Sequence, residues 1–257
     1  MYNIPGGFPD PYIPESLPPA NLELAEFFED SLKATEAISR YDGILHTMIN
    51  PNLILGTLTH REAVLSSKIE GTFATLEEVM IYDAQSSSKK VAQNEIKNDV
   101  REVHNYISAM REAIVLLEKK PLCINTICTL HSILLSGARG QEKRPGKIRT
   151  TQNLVRTAYG RFTPPEPAIA RDALYDWENY LHTKNANWLI QVAILKAQFE
   201  LIHPFLDGNG RIGRMLVPLI LYSKDHISSP TFYISDYLTR NEDAYYESLN
   251  EISKNGD

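Results

Sequence analysis

Residues 203–214 have the sequence HPFLDGNGRIGR and separate two apolar stretches of the chain. The preceding stretch, residues 187–202, is predicted to be a helix, because Lys196 and Glu200 have the four-residue spacing of a helical ion pair. Helical periodicity resumes at residues 209–224. The three glycines, two arginines, Asp, Asn and His within these twelve residues exceed what a simple turn requires. We therefore expect a loop that binds a ligand.

Three known loop motifs share glycines with this stretch, and none of them fits it. Gly208–Gly213 matches the pattern G-x-G-x-x-G, but the dinucleotide-binding fingerprint follows a strand, whereas a helix is expected here. A Walker phosphate-binding loop would continue into Gly-Lys-Ser/Thr, which is missing. An EF-hand would place Ile212 at the turn glycine and Arg211 at a ligand position.

The loop is instead suited to a phosphate-bearing ligand. Gly208, Asn209 and Gly210 let successive backbone N–H groups converge at the start of the second helix, where the helix dipole also favours an anion. Arg211 and Arg214 are three residues apart on that helix and share a face. Their two planar guanidinium groups complete the pattern, so we expect these five residues to bind a polyphosphate.

Two further residues predict the chemistry at the mouth of the loop. Asp207 supplies a carboxylate oxygen of the kind that binds Mg²⁺ together with phosphate oxygens. Pro204 disfavours helical backbone at His203, so the first helix should end there and leave the imidazole at its rim. Since an imidazole has a pKa near neutral, His203 is expected to accept a proton from a hydroxyl group.

These twelve residues resemble the Fic family motif, His-Pro-Phe-x-Asp/Glu-Gly-Asn-Gly-Arg-x-x-Arg, and match it at every defined position. The resemblance extends over most of residues 55–250. It implies Mg²⁺-dependent transfer of AMP from ATP to a Ser, Thr or Tyr hydroxyl of a target protein, with release of pyrophosphate. His203 would then be the general base, Asp207 the Mg²⁺ ligand and Phe205 a core anchor. The five loop residues named above would hold the phosphates.

Other functions stay open on the same residues. The loop could use another donor, such as UTP or a choline-bearing nucleotide, or remove AMP from proteins instead of adding it. A non-catalytic nucleotide-binding module is a third alternative, but it would have no physical need for the base His203. The target protein is not identified by the sequence, and candidates include the chain itself, which contains 13 tyrosines.

Two more segments resemble parts of this family. Residues 148–163 contain short β-prone stretches on either side of Ala158-Tyr-Gly160 and are similar to the family's hairpin flap, which would pair with extended target backbone. Tyr245 and Tyr246 correspond in position to the wall of the adenine pocket. Core packing is an equally consistent interpretation of two adjacent tyrosines on a helix.

Residues 66–71, SSKIEG, resemble the inhibitory motif Ser/Thr-x-x-x-Glu-Gly/Asn of Fic proteins whose inhibitory helix precedes the catalytic loop. Ser66 and Glu70 share a helix face, and Gly71 is typical of a helix end. The resemblance implies that Glu70 pairs with Arg214 in the space of the ATP γ-phosphate, while Ser66 holds the helix end. A hundredfold suppression requires about 2.7 kcal/mol, and an exposed ion pair contributes only about 0–1 kcal/mol. We therefore expect this pair to be partly desolvated or the block to be steric as well.

The periodic segments predict an all-α, Fic-like helical domain of about eight helices with one β-hairpin flap. The first helix should end at Asp42-Gly43, the inhibitory helix should span about residues 58–71, and the flap about residues 148–163. The expected division of the chain is a Pro-rich extended arm at residues 1–20, N-terminal helices that include the inhibitory helix at residues 21–90, and a Fic catalytic core at residues 91–257.

Composition sets the remaining expectations. A formal net charge of −6 offers no basic surface, so nucleic acid is not an expected partner. The N-terminus lacks a basic patch followed by an apolar core, and no run approaches the roughly 20 apolar residues of a membrane span. Cys123 and Cys128, five residues apart in an apolar stretch, suit neither a disulfide nor a zinc site. We expect a cytoplasmic protein with ATP and a target protein as its partners.

Overall fold

The structure is a computed structural model that describes residues 9–20, 22–87, 97–137, 141–157 and 160–255. Within these ranges the chain forms ten α-helices and one two-stranded antiparallel hairpin. The all-α prediction with a single hairpin is confirmed, although the sequence predicts about eight helices. In chain order the elements are α1 (Phe28–Thr47), α2 (Pro51–Ile69), α3 (Leu76–Ser87), α4 (Asn98–Leu117), α5 (Ile124–Leu134), β1 (Val155–Thr157), β2 (Gly160–Phe162), α6 (Pro167–Leu181), α7 (Trp188–Ile202), α8 (Asn209–Ser223), α9 (Ser235–Arg240) and α10 (Glu242–Asn255).

Helix α8 lies at the centre of the fold. Every residue from Arg211 to Leu221 is buried, as expected of a helix with neighbours on all sides. Helices α7, α4, α5 and α2 pack against it. The largest fully buried aromatic side chains belong to the same hydrophobic core as α8, namely Tyr106, Trp177, Phe199 and Phe205. Because α7 and α8 are packed together, the loop between them has both of its ends fixed.

The junction between α2 and α3 follows the local signals in its sequence. Gly71 has a φ of +78° and ends α2, as predicted. Thr75 and Glu78 form a capping box, in which the Glu78 N–H donates to Thr75 Oγ1 (3.1 Å) and the Thr75 N–H donates to Glu78 Oε2 (2.9 Å). The predicted start of α2 near residue 58 is wrong, because Pro51 occupies the first turn of the helix.

Helix α1 continues through Asp42-Gly43 to Thr47, so the predicted break at this point is wrong. A glycine in a helix interior costs about 1 kcal/mol relative to alanine. Tertiary hydrogen bonds offset this cost, because Asp42 Oδ1 accepts from both the N–H (2.8 Å) and the Oγ (2.7 Å) of Ser228. The low helix propensity of Gly43 is therefore outweighed by the contact of Asp42 with Ser228, which lies 186 positions away.

Residues 9–12 of the proline-rich arm lie against the end of the hairpin. The Tyr12 N–H donates to the Thr163 carbonyl (2.9 Å), and Thr163 Oγ1 donates to the Pro9 carbonyl (2.7 Å). The aromatic rings of Tyr12 and Phe162 are 5.9 Å apart. Residues 1–8 of the predicted arm, residues 158–159 of the predicted flap and the boundary expected between residues 90 and 91 lie outside the described residues. In the described ranges, no helix has the length and apolar content needed to cross a membrane.

Candidate active site

The loop between α7 and α8 has left-handed backbone at both of its ends. Helix α7 ends at Ile202, and its C-cap residue His203 has φ +48° and ψ +59°. Gly208 precedes α8 with φ +77°, a conformation that glycine adopts without strain. The left-handed conformation of His203 is uncommon for a residue with a side chain, and its proline neighbour would normally favour extended backbone. Surrounding contacts must therefore hold His203 in place.

The Asn209 side chain closes this loop. Its Oδ1 accepts from the Phe205 N–H (2.9 Å), and its Nδ2 donates to the Phe205 carbonyl (2.9 Å). Asn209 is 2% exposed, so both bonds are protected from water. Of the phosphate contacts predicted for Asn209, only its backbone N–H remains available, because the side-chain amide is committed to the loop itself.

The start of α8 presents several backbone donors to one place. Ile212 donates the first intrahelical hydrogen bond, to the Gly208 carbonyl, so the N–H groups of Asn209, Gly210 and Arg211 have no intrahelical acceptor. The Gly208 N–H is engaged by Asp207 Oδ1 (2.6 Å) and does not belong to this group. We call the N–H groups of residues 209–211 together with the Arg214 guanidinium the anion site.

The Glu70 carboxylate occupies this anion site. Glu70 Oε1 accepts from Arg214 Nη2 (2.7 Å), and it lies so close to Gly210 that an added Cβ atom would collide with it. Arg214 also donates to Ser66, from Nε to Oγ (2.9 Å) and from Nη2 to the carbonyl (2.8 Å). The Arg214 side chain is 1% exposed and that of Glu70 34%. The contact is thus desolvated on the arginine side and partly solvated on the glutamate side.

Both members of this pair are ionised. Burial alone raises the pKa of Glu70, but the charge and hydrogen bond of Arg214, with smaller effects from Arg211 and His203, leave that pKa below its usual value. Burial alone lowers the pKa of Arg214, yet the Glu70 carboxylate reverses the shift and raises it. An acidic carboxylate therefore faces a permanent cation at the N-terminus of α8.

The other arginine of the motif, Arg211, is also buried in α8, and its guanidinium group is only partly hydrogen-bonded. Its Nη1 lies 3.5 Å from Glu102 Oε2 and its Nη2 lies 3.6 Å from Asp207 Oδ1. In the described part of the chain, Arg211 Nε and Nη1 have no hydrogen-bond acceptor. Glu102 Oε2 accepts a shorter bond from Thr72 Oγ1 (2.8 Å), just beyond the end of α2. Buried donors without acceptors are uncommon, and these suit an incoming anion.

Asp207 is the residue available for a divalent cation. Its side chain is 43% exposed at the mouth of the loop. Among the described residues, no group of three or more His, Cys, Asp and Glu side chains forms a metal cluster. Mg²⁺ usually binds proteins through one or two carboxylates and completes its coordination with phosphate oxygens and water. Asp207 fits that mode, and it does not fit a cation held by the protein alone.

The imidazole of His203 has a defined orientation. Its Nδ1 lies 3.3 Å from the Glu200 carbonyl oxygen, which can only accept a hydrogen bond. The proton therefore resides on Nδ1, which leaves the lone pair of Nε2 for another partner. Burial lowers the pKa of His203, and the nearby Arg149 charge acts in the same direction. The neutral form, which a general base requires, is favoured.

Two adjoining cavities meet at this site. One of about 440 Å³ lies over the loop, and one of about 140 Å³ extends towards α10. Both are lined by the same five residues, Glu70, Val155, His203, Gly210 and Tyr246. Tyr245 lines only the smaller cavity, and its hydroxyl is bound by Lys196 Nζ (2.7 Å). Burial and the Glu70 charge raise the pKa of Tyr246, so its hydroxyl stays protonated.

The structure places two further residues against the loop that the sequence does not reveal. His131 of α5 stacks on Phe205 with ring centroids 3.8 Å apart. It accepts from the Gly146 N–H at Nδ1 (2.8 Å) and donates from Nε2 to the Asp207 carbonyl (2.9 Å). Burial lowers its pKa to about 4. The second residue, Arg149, donates to the backbone carbonyls of Ile202 and His203, where α7 ends and the loop begins. Neither residue has a complementary side chain at a fixed spacing that would indicate these contacts from the sequence.

Comparison with known proteins identifies the family of this arrangement. A family model described as Fic/DOC family N-terminal matches residues 28–115, and one described as Fic/DOC family matches residues 121–221. Among solved structures, a Fic family protein from Desulfovibrio desulfuricans G20 superposes with a TM-score of 0.74 at 20% identity, covering 89% of this chain and 67% of that one. Fic-1 from C. elegans gives a TM-score of 0.63 at 22% identity, covering 88% and 66%.

Curated relatives share part of their sequence with this chain. Protein adenylyltransferase fic-1 of Caenorhabditis elegans is 36% identical over 128 residues, which make up 46% of this chain and 24% of that protein. Protein adenylyltransferase Fic of Drosophila grimshawi is 29% identical over 161 residues, or 60% of this chain and 31% of that protein. The match therefore spans less than a third of the length of these relatives.

Proposed function

Because the chain belongs to the Fic/DOC family, we propose that it is a protein adenylyltransferase, which transfers AMP from ATP to a Ser, Thr or Tyr hydroxyl of a target protein. The observation that carries this proposal is the anion site at the start of α8, which holds a carboxylate and opens into the same cavity as His203. A site in which a buried arginine binds a carboxylate beside the N-terminus of a helix is also suited to phosphate.

The proposed reaction uses these groups without covalent catalysis. The acceptor hydroxyl oxygen attacks the α-phosphorus of ATP and its proton passes to His203 Nε2. The new oxygen–phosphorus bond forms as the bond to the pyrophosphate oxygen breaks, and pyrophosphate leaves with the electron pair. Arg211 and Arg214 supply positive charge for the phosphates. Such a transfer depends mainly on alignment and charge neutralisation.

Asp207 would hold Mg²⁺ together with the phosphate oxygens. When bound, the ion would neutralise part of the phosphate charge. The exposed Asp207 carboxylate at the loop mouth supports this role. The hairpin β1–β2 is proposed to align the target, because Val155 at its edge lines both cavities of the site. Tyr246 would lie beside the nucleotide, because it also lines both cavities.

Autoinhibition by Glu70 is part of the proposal. Its carboxylate takes the position of an anion at the start of α8 and the hydrogen bonds of Arg214 that a terminal phosphate would need. Ser66 would hold Arg214 towards α2 in this state. We further propose residues 21–90 as the regulatory part and 91–257 as the catalytic core. A cytoplasmic location is proposed from the free cysteines Cys123 and Cys128.

The most direct test is the intact mass of the Glu70→Gly protein after incubation with Mg-ATP, alone and with cell lysate. An AMP-sized addition to the protein or to a lysate protein is expected, and it should be lost in Glu70→Gly/His203→Ala. Parallel incubations with UTP and with a choline-bearing nucleotide distinguish the donor. If no addition appears with any donor, the transferase proposal is wrong.

A further inference from the structure

Arg149 is a buried cation whose described partners are all backbone carbonyls. Its residue is 0% exposed. Its Nε donates to the His203 carbonyl (2.9 Å), and its Nη2 donates to the carbonyls of Pro165 (2.5 Å) and Ile202 (3.3 Å). Its Nη1 donates to the Thr151 carbonyl (3.3 Å). A buried guanidinium without a carboxylate is costly, so its position requires a reason.

The partners of Arg149 belong to two parts of the site. Ile202 and His203 form the end of α7 at the general base, and the backbone N–H of Arg149 extends the contact to the Pro204 carbonyl (2.9 Å). Thr151 lies on the segment that leads into β1, and Pro165 lies on the segment that follows β2, so the two residues mark the two stems of the hairpin. One side chain therefore joins both stems of the hairpin to the backbone of His203.

We infer that Arg149 is a positioning residue, which holds His203 in its left-handed conformation and fixes the distance between the base and the hairpin. This inference rests on the proposed function, in which the hairpin aligns the acceptor hydroxyl. Within the described ranges, the Arg149 side chain forms no hydrogen bond with the anion site; its hydrogen bonds go to the end of α7 and to the hairpin. Its loss should therefore disturb proton transfer and acceptor alignment, and nucleotide binding should change little.

The test compares Arg149→Lys with its parent in the Glu70→Gly background. Lysine keeps the charge but lacks the planar fork that reaches several carbonyls at once. The kcat of AMP transfer is expected to fall about a hundredfold, as for a displacement of about 1 Å of a catalytic group. The dissociation constant of a non-hydrolysable ATP analogue should change less than about threefold. The stoichiometry of analogue binding, measured by calorimetry, gives the fraction of folded protein, and the kcat is normalised to that fraction.

A matched control separates positioning from stability. Arg111→Met removes another arginine, which binds Asp83 through both Nη atoms (2.8 and 2.7 Å) between α4 and α3. It should lower the melting temperature and leave the normalised kcat unchanged. A normalised kcat of Arg149→Lys within about threefold of its parent overturns the inference, as does an equal loss in Arg111→Met.

A readout without activity keeps this inference distinct from the proposed function. Nitrogen-15 NMR should detect a proton on His203 Nδ1 in the parent and a mixture of tautomers in Arg149→Lys. An unchanged tautomer overturns the positioning role, whereas a parent that transfers no AMP refutes the proposed function alone. If Arg149→Lys does not fold, hydrogen exchange in the unmutated protein decides, because the Arg149 Nε–H should exchange slowly. Rapid exchange at Nε would contradict the bond to His203.

Discussion

Replacement of Glu70 by glycine is the perturbation that most directly tests the anion site. Glu70→Gly removes both the charge that binds Arg214 and the atoms that lie over Gly210. Glu70→Gln keeps nearly the same bulk, and its amide oxygen can still accept from Arg214. The two variants therefore separate a block by charge from a block by volume. Lys68→Gly is the matched control, because it places the same residue in the same turn of α2 at an exposed position.

The size of the effect follows from the burial of the pair. An ion pair exposed on both sides contributes about 0–1 kcal/mol, and removing one partner of a fully buried pair costs about 3–5 kcal/mol. With Arg214 at 1% and Glu70 at 34% exposure, this pair lies between the two limits. We take the contribution of the Glu70–Arg214 pair as about 2–3 kcal/mol, which corresponds to a suppression of productive nucleotide binding by roughly 30- to 150-fold. Glu70→Gly should increase AMP transfer by at least the lower factor.

The assay measures incorporation of labelled AMP at ATP concentrations below saturation. Glu70→Gly is expected to exceed the wild-type rate by at least about 30-fold, Glu70→Gln to lie between them and Lys68→Gly to match the wild type. Equal rates in Glu70→Gly and wild type would refute the autoinhibition. A Lys68→Gly rate equal to that of Glu70→Gly would show that fraying of α2, and not loss of the carboxylate, releases the activity.

Four further predictions follow from individual contacts. His203→Ala should abolish transfer while calorimetry still detects ATP binding; measurable transfer would mean that another group is the base. Asp207→Asn should raise the Mg²⁺ concentration for half-maximal activity at least about tenfold, since a carboxylate is lost, and an unchanged Mg²⁺ titration would argue against this ligand. Asn209→Ala should lower the free energy of unfolding in urea by about 1–3 kcal/mol, because the buried Phe205 N–H loses its acceptor and the Phe205 carbonyl keeps only the longer bond from Asn153 Nδ2 (3.2 Å); a smaller loss would mean that water replaces the bonds. His131 has a folded-state pKa of about 4 against an unfolded value near 6.5, so wild-type stability should fall by up to about 3 kcal/mol as the pH decreases from about 6.5 to 4. His131→Gln should lack this part of the pH dependence, and parallel stability curves for the two proteins would contradict the assignment.

Features encoded in neighbouring residues are predictable from the sequence. The motif of residues 203–214 contains its own loop-closing amide and its own helix start, and Thr75–Glu78 contains both halves of its capping box. Each interaction joins groups within four positions, so residue type and spacing suffice to indicate it. The same holds for Gly71, whose positive φ follows from its place at a helix end.

Contacts between distant segments are not predictable in this way. Arg149 binds a carbonyl 54 positions away, and His131 binds one 76 positions away. A backbone carbonyl is present in every residue, so the sequence contains no complementary side chain that would mark the partner. The helix through Gly43 has the same origin, because the stabilising Ser228 lies on another segment. The resemblance of residues 66–71 to a known motif was needed to associate Glu70 with Arg214.

The Glu70 carboxylate and the site it fills belong to one chain, so under the proposed autoinhibition Glu70 would be an intramolecular competitor of the nucleotide. Its effective concentration is set by the length and stiffness of α2 and does not change when the protein is diluted. The fraction of molecules open to ATP at a given ATP level should therefore be independent of protein concentration. Activity would depend on the affinity for ATP relative to the stability of the Glu70–Arg214 contact. Any partner that moves α2 away from the site would therefore lower the apparent dissociation constant for ATP.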